Sequence, residues 1–184
     1  MMTNTQTDAP TYSDTVAHFA NLIMQASMRD VELASRWYHD AYLVALEVAS
    51  NMTLDIERAS CIVAAFSPRE RWSVNVRKAL EYSAGITPSG LSNNVAMADA
   101  SLVHGFDALK GLKTNAFARA IAGDEQAVVI DVWMCRAASL GTDSPNKTQY
   151  NFVADAVRDA AALFGITPRT AQALIWIIVR GNHA

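Results

Sequence analysis

Cysteine is almost missing from this chain: 184 residues hold two, Cys61 and Cys135, far apart and in no CxxC spacing. A cysteine-ligated zinc site and a four-cysteine iron–sulfur cluster therefore cannot be assembled from this chain alone. A cytoplasmic, reducing compartment is the expectation. His39, beside Asp40, has no His or Cys at ligand spacing, so no metal is expected. Glycine (8) and proline (5) are also scarce, whereas alanine is abundant, which favours helices over a glycine-rich β fold. No charge sign dominates: the net charge is −3 and the pI about 5.7. That argues against a protein that coats nucleic acid with its whole surface but leaves room for a local basic cleft. Long apolar runs are lacking too. The longest, Ala171 to Val179, is interrupted by Gln172 and falls far short of the ~20 residues a membrane span needs, so it reads as a buried core helix. The first ten residues have neither a basic nor an apolar signal region and are expected to form a disordered tail.

What is present is a globular core, since 51% of the residues are hydrophobic. Apolar residues recur at three and four, as in Val16, Phe19, Ala20 and Ile23, then Trp37, Ala41, Val44, Ala45 and Val48. No segment sustains an alternation of period two. The pattern predicts an all-α fold, with helices over 13–27, 30–50, 53–66, 68–83, 93–101, 104–109, 113–122, 132–140, 147–164 and 168–180. Ser67-Pro68-Arg69-Glu70 reads as a helix start, with a serine cap, proline in the first turn and a glutamate completing a capping box. Thr87-Pro88, Ser144-Pro145 and Thr167-Pro168 repeat the cap-then-proline pattern. Residues 11–184 are expected to make one domain.

The chemistry-bearing feature is a lysine and an aspartate eighteen residues apart, in Lys113-Thr114-Asn115-Ala116-Phe117 and Val128-Val129-Ile130-Asp131-Val132-Trp133-Met134. Along unbroken helix they would be about 27 Å apart, at 1.5 Å per residue. Gly123-Asp124-Glu125-Gln126 looks like a break that folds Asp131 back towards the start of the lysine helix. Each residue has an ordinary reading: Asp131 as a helix N-cap, Lys113 as a solvated helix lysine. Together, an amine nucleophile and a carboxylate are what cleavage of an N-glycosidic bond requires. Arg69, Arg71, Arg77 and Lys78 are either a solvated face or a set of phosphate contacts. Trp72 and Trp133 read as packing residues rather than base-stacking platforms, Cys135 as core, and Gln172 and Trp176, a helical turn apart, as packing residues that could line a pocket.

These segments line up with one family. Lys113-Thr114, Gly123 and the Val128-to-Arg136 stretch resemble the lysine helix and catalytic aspartate of helix-hairpin-helix (HhH-GPD) DNA glycosylases of the endonuclease III and 8-oxoguanine glycosylase types. Ile62-Val63-Ala64-Ala65-Phe66-Ser67, with Ser73-Val74-Asn75 and Lys78-Ala79, is similar to that family's apolar helix, Leu-Ser turn and Val-Asn-x-Ala helix. The family's Leu-Pro-Gly-x-Gly hairpin is degenerate here: Leu109-Lys110-Gly111-Leu112-Lys113 keeps one glycine. The resemblance spans roughly Ile62 to Arg136. It implies a two-lobed helical bundle with a cleft, no cofactor, no iron–sulfur cluster, and duplex DNA with a flipped base as partner to a monomer. It implies base excision, with Lys113 attacking C1′ and permitting β-elimination, and Asp131 stabilising the oxocarbenium-like centre. Such a lysine must be neutral, so the expectation is that desolvation lowers its pKa. Arg69, with Arg71 beside it, takes the position of the residue that fills the space left by the base, and Lys110 and Gly111 that of the phosphate anchor. Two other readings accommodate the same residues. One is a phage-type DNA hypermodification enzyme that transfers a group to an activated thymine. The other is a non-catalytic all-α DNA-binding module.

Overall fold

In a computed structural model, residues 10–90 and 92–181 are described; the expected tail, apart from Pro10, lies outside them. The helix starts are written in short polar side chains. Thr11 with Asp14 and Ser27 with Asp30 form reciprocal capping boxes that open α1 (Tyr12–Met24) and α2 (Met28–Met52). Asp55 caps α3 (Ile56–Ala65), whose residues from Ala59 onward are buried on every side. A helix with no polar face belongs at the centre, and its alanines let neighbours approach closely. α4 is Trp72–Ser83 and α5 Ser92–His104; a 3-10 turn, Gly105–Ala108, leads into α6 (Leu112–Ala122). α6 ends at Gly123, whose φ of 108° is a conformation side chains disfavour. α7 (Val132–Ala137), α8 (Lys147–Leu163) and α9 (Pro168–Arg180) complete the chain. The described residues contain helices and no strand, so the fold is all-α.

The helices sort by packing. α1, α7, α8 and α9 pack among themselves, as do α3, α5, α6 and the 3-10 turn, and α2 runs along both groups, touching α3, α4, α6 and α9. The largest fully buried side chains, among them Phe19, Ile62, Phe66, Ile121, Ile130, Met134 and Ile175, come from both groups and form a single cluster. No single described helix is long and apolar enough to cross a membrane.

Three proline signals behave differently from expectation. α4 begins at Trp72, not Pro68: Ser67 to Glu70 is instead a hydrogen-bonded turn, Glu70 N–H donating to Ser67 O at 3.2 Å. Pro68 occupies the second turn position and Arg69 the third, with φ of 65°. Proline followed by a positive-φ residue is a turn signal as much as a helix start, and here the turn wins. No helix opens at Thr87-Pro88, since α5 starts at Ser92. α8 starts after Asn146, which forms a capping box with Gln149, rather than after Ser144. Thr167-Pro168 does open α9 as expected.

Candidate active site

The chain reverses between α6 and α7 through the buried non-helical run Ala127–Ile130. Its backbone polar groups need partners, and Tyr150 on α8 supplies them. The Tyr150 hydroxyl donates to Val128 O at 2.9 Å and accepts from Ile130 N–H at 3.3 Å, while Leu112 O lies 3.5 Å away. The residues just before Lys113 and just before Asp131 therefore meet around one phenol oxygen. Burial raises the Tyr150 pKa to about 12, so it stays a hydroxyl and can fill both roles.

Asp131 caps α7. Its Oδ1 accepts from Trp133 N–H at 2.9 Å and Met134 N–H at 3.0 Å, and its Oδ2 accepts from the Trp176 indole N–H at 2.9 Å. The ordinary reading of Asp131 is therefore correct, and it also places a half-buried carboxylate, held at both oxygens, at the mouth of a helix. Lys113, in the first turn of α6, is exposed, and no carboxylate lies within 4 Å of it among the described residues. The expected desolvation of this amine is not provided by the protein, because the α6 N-terminus projects into solvent. Cys135, one turn after Asp131, senses both groups: burial chiefly pushes its thiol up to about 11, Asp131 adds to the rise, and Lys113 opposes it.

Lys113 and Asp131 line the same cavity, of about 370 Å³, which lies where α2, α4, α6, α7 and α9 converge. Its walls are aromatic. Trp37 stacks obliquely between Trp72 and Trp176, with ring centroids at 5.4 and 5.0 Å, and Phe117 meets Trp72 edge-on at 6.3 Å. Trp133 also lines it, so all four tryptophans of the chain face this space. Trp72 and Trp133, read from sequence as packing residues, are half-buried cavity walls. The polar lining carries four cations, Arg69, Arg71, Lys113 and Arg180, against two carboxylates, Glu70 and Asp131. A chain of net charge −3 thus concentrates positive charge at this cavity.

Arg69 and Arg71 are exposed on the Ser67–Arg71 turn. Arg69 holds a left-handed backbone with a long side chain, a strain of order 1 kcal/mol of the sort found at ligand sites. Lys78 is not a phosphate contact: it is buried and bonds to Glu70, pinning the turn to α4. Arg77 is committed to Glu81 on the surface. Lys110 and Gly111 are exposed and do not line the cavity. Gly111 is the N-cap of α6 with no side-chain cap bond, so the first-turn amides beside Lys110 point outward unpartnered by a cap. Its φ of −76° shows that this glycine is not kept for its backbone. His39 and Asp40 are exposed, away from the cavity.

Among the cavity residues that the sequence did not mark as site members are Trp37, Glu70, Asn75 and Arg180. Asn75 is buried, one Nδ2–H donating to Val63 O at 2.8 Å while Oδ1 has no partner among the described residues. Gln172 is buried as expected of packing, but it also lines the cavity, its Oε1 accepting from the Tyr38 hydroxyl at 2.6 Å. In the sequence, the hint of this wall was the pair Gln172 and Trp176, a helical turn apart.

The chain belongs to the family described as "Family of unknown function (DUF7178)", which it matches over residues 1–183. No curated protein and no solved structure matches it.

Proposed function

We propose that this chain is a DNA N-glycosylase with lyase activity, acting on a modified or damaged base turned out of a duplex. The observation that carries the reading is that Lys113 and Asp131 line one aromatic-walled cavity ringed by arginines. A hollow of about 370 Å³ has room for a nucleobase, and tryptophan faces can hold one by stacking. In this scheme the Lys113 amine attacks C1′. The C1′–N bond breaks, and its electron pair leaves with the base, which takes up a proton. The resulting hemiaminal ether opens by cleavage of C1′–O4′, O4′ taking up a proton, to give a Schiff base, and loss of a C2′ proton then expels the 3′ phosphate by β-elimination. Asp131 faces the positive charge that builds at C1′. Because Lys113 is exposed in the free protein, the covering duplex supplies the desolvation that makes the amine nucleophilic.

Arg69 and Arg71 on the strained turn face the flipped nucleotide's vacated position, and Lys110 with the α6 amides takes a phosphate. In the two-lobed arrangement this implies, the packing groups joined by α2 are the lobes and the cavity lies in the cleft. The test is borohydride trapping on duplexes carrying candidate modified bases. A covalent adduct that disappears in Lys113→Ala supports the reading; no adduct and no base release with any lesion defeats it.

A second reading draws on the surplus of cations over carboxylates in the cavity. Four basic side chains suit an anionic group carried on the base, as in transfer to an activated thymine. Mass spectrometry of nucleosides from treated DNA separates the two: a new nucleoside without strand scission favours group transfer.

A further inference from the structure

The cations at the cavity differ from those elsewhere in the chain. Arg69, Arg71, Lys113 and Arg180 line it, and none of the four has an ion pair among the described residues. Seven of the other eleven lysines and arginines have one. The two carboxylates of the lining are already answered by the protein itself. Glu70 is held by Lys78, and Asp131 by the N–H groups of Trp133, Met134 and Trp176. Unpaired like charges around one hollow repel one another and focus a positive potential there, which an anion relieves. The aromatic lining is bare as well. Trp37, Trp72 and Trp133 are only half-buried, although all three line the cavity. Trp176 is the exception: it is buried, its N–H is spent on Asp131, and the Arg180 guanidinium covers its ring at 4.5 Å. Partly bare indoles set among unpaired cations are the two elements of single-strand recognition, in which a base stacks on an aromatic face and the phosphates on either side of it meet cations.

A duplex matches this surface less well than a strand does. Setting aside the four cations and two carboxylates of the cavity lowers the net charge from −3 to −5 for the rest of the chain. The complementary strand would lie over that remainder, where its phosphates meet a surplus of like charge. We infer that the cavity and its cations grip one strand of DNA, the strand that carries the inserted base, and draw little affinity from the complement. The inference rests on the cavity being a base pocket. A base that is paired in a duplex then binds at the added cost of extruding it, whereas a base in a single strand enters without that cost.

The full-length protein is titrated into a dye-labelled, unmodified DNA strand of about twelve nucleotides, within the usual range of site sizes. It is also titrated into the same strand annealed to its complement, and into a strand of equal length whose sugars carry no base. Anisotropy gives the affinities, and quenching of tryptophan by unlabelled strands reports entry of a base. The expected result is that the single strand quenches, and binds about tenfold or more tighter than its duplex and about fivefold or more tighter than the base-free strand. The logarithm of its affinity falls with the logarithm of salt concentration with a slope of about −3, from four neutralised phosphates at about 0.7 each. Arg71→Gln and Arg180→Gln each make that slope shallower by about 0.7. Lys147→Gln, which removes an exposed cation that does not line the cavity, leaves it unchanged. A duplex bound as tightly as the single strand overturns the inference, as does a slope that both cavity variants leave unchanged, or no binding of any strand. Borohydride trapping on modified duplexes is read separately. Strand binding without a trapped adduct keeps this inference and defeats the glycosylase chemistry, and a trapped adduct with equal affinities for strand and duplex does the reverse.

Discussion

Replacing Asp131 separates its two roles, because the structural one can be sized from its bonds. Asp131→Ala removes a helix cap, worth about 1 kcal/mol. It also strands the indole N–H of Trp176, a residue only 9% exposed, at a cost of about 1–3 kcal/mol. The total, about 2–4 kcal/mol, corresponds to a fall in Tm of roughly 5–15 °C for a chain of this length. Asp131→Asn keeps the cap, since asparagine caps as well as aspartate, and its Oδ1 still accepts from Trp133 and Met134. Its amide, however, points a donor at the Trp176 donor, so about 1–2 kcal/mol is lost. Trp176→Phe in the D131N background should then cost less than Trp176→Phe in the wild type, with a coupling of about 1–2 kcal/mol. Urea and thermal unfolding followed by far-UV circular dichroism measure all five proteins, the wild type included. Asp131→Asn should nonetheless lose base release by about a hundredfold or more, far beyond what its stability loss explains. A stable Asp131→Asn with wild-type activity refutes the catalytic role. An Asp131→Ala that melts with the wild type refutes the structural ledger.

Lys113 is exposed and has no ion pair among the described residues, so Lys113→Ala should move stability by less than about 0.5 kcal/mol in unfolding titrations while eliminating trapped adduct; a large destabilisation would show it to be structural. Tyr150→Phe leaves Ile130 N–H and Val128 O unpaired in the core, and a loss of about 1–3 kcal/mol is expected by urea titration, with activity falling further as the lysine and aspartate segments lose their common anchor. Glu70→Ala strands the buried Lys78 ammonium and should destabilise by about 2–4 kcal/mol, less than for a fully buried pair because Glu70 is 25% exposed; Lys78→Met should be milder, and equal effects would contradict this. Burial pushes the Cys61 thiol up to about 12 and Cys135 up to about 11 from an ordinary 9.0. Above pH 9 these thiols ionise first in the unfolded chain, which then binds fewer protons than the folded one, so stability present below pH 9 drains away as pH rises towards 11–12. Unfolding titrations from pH 8 to 11 check the sign, and a thiol reagent at pH 8 should label neither cysteine without denaturant.

The helices were largely legible because apolar spacing and polar caps act within a few residues. Thr167-Pro168 opens α9 and Gly123 closes α6, each through an interaction its own neighbours provide. Ser67-Pro68 misled for the same reason: a proline fits the first turn of a helix and the second position of a tight turn equally well locally. The choice was made by Lys78, eleven residues on, which draws Glu70 into the turn.

Of the candidate site, the lysine, the aspartate and the arginines of the turn could be picked out because their residue types and spacing are written in consecutive sequence. So were the all-α class and the fold-back at Gly123, since propensity, capping and breaks are local properties. That Lys113 and Asp131 share one cavity was decided only by tertiary structure, through a phenol on α8 that reaches the segments before both. The aromatic wall was likewise invisible, because its members come from distant helices, and so was the state of Asn75. Whether a buried asparagine is satisfied depends on which groups the folded chain brings within 3 Å of it, and no stretch of sequence carries that distance.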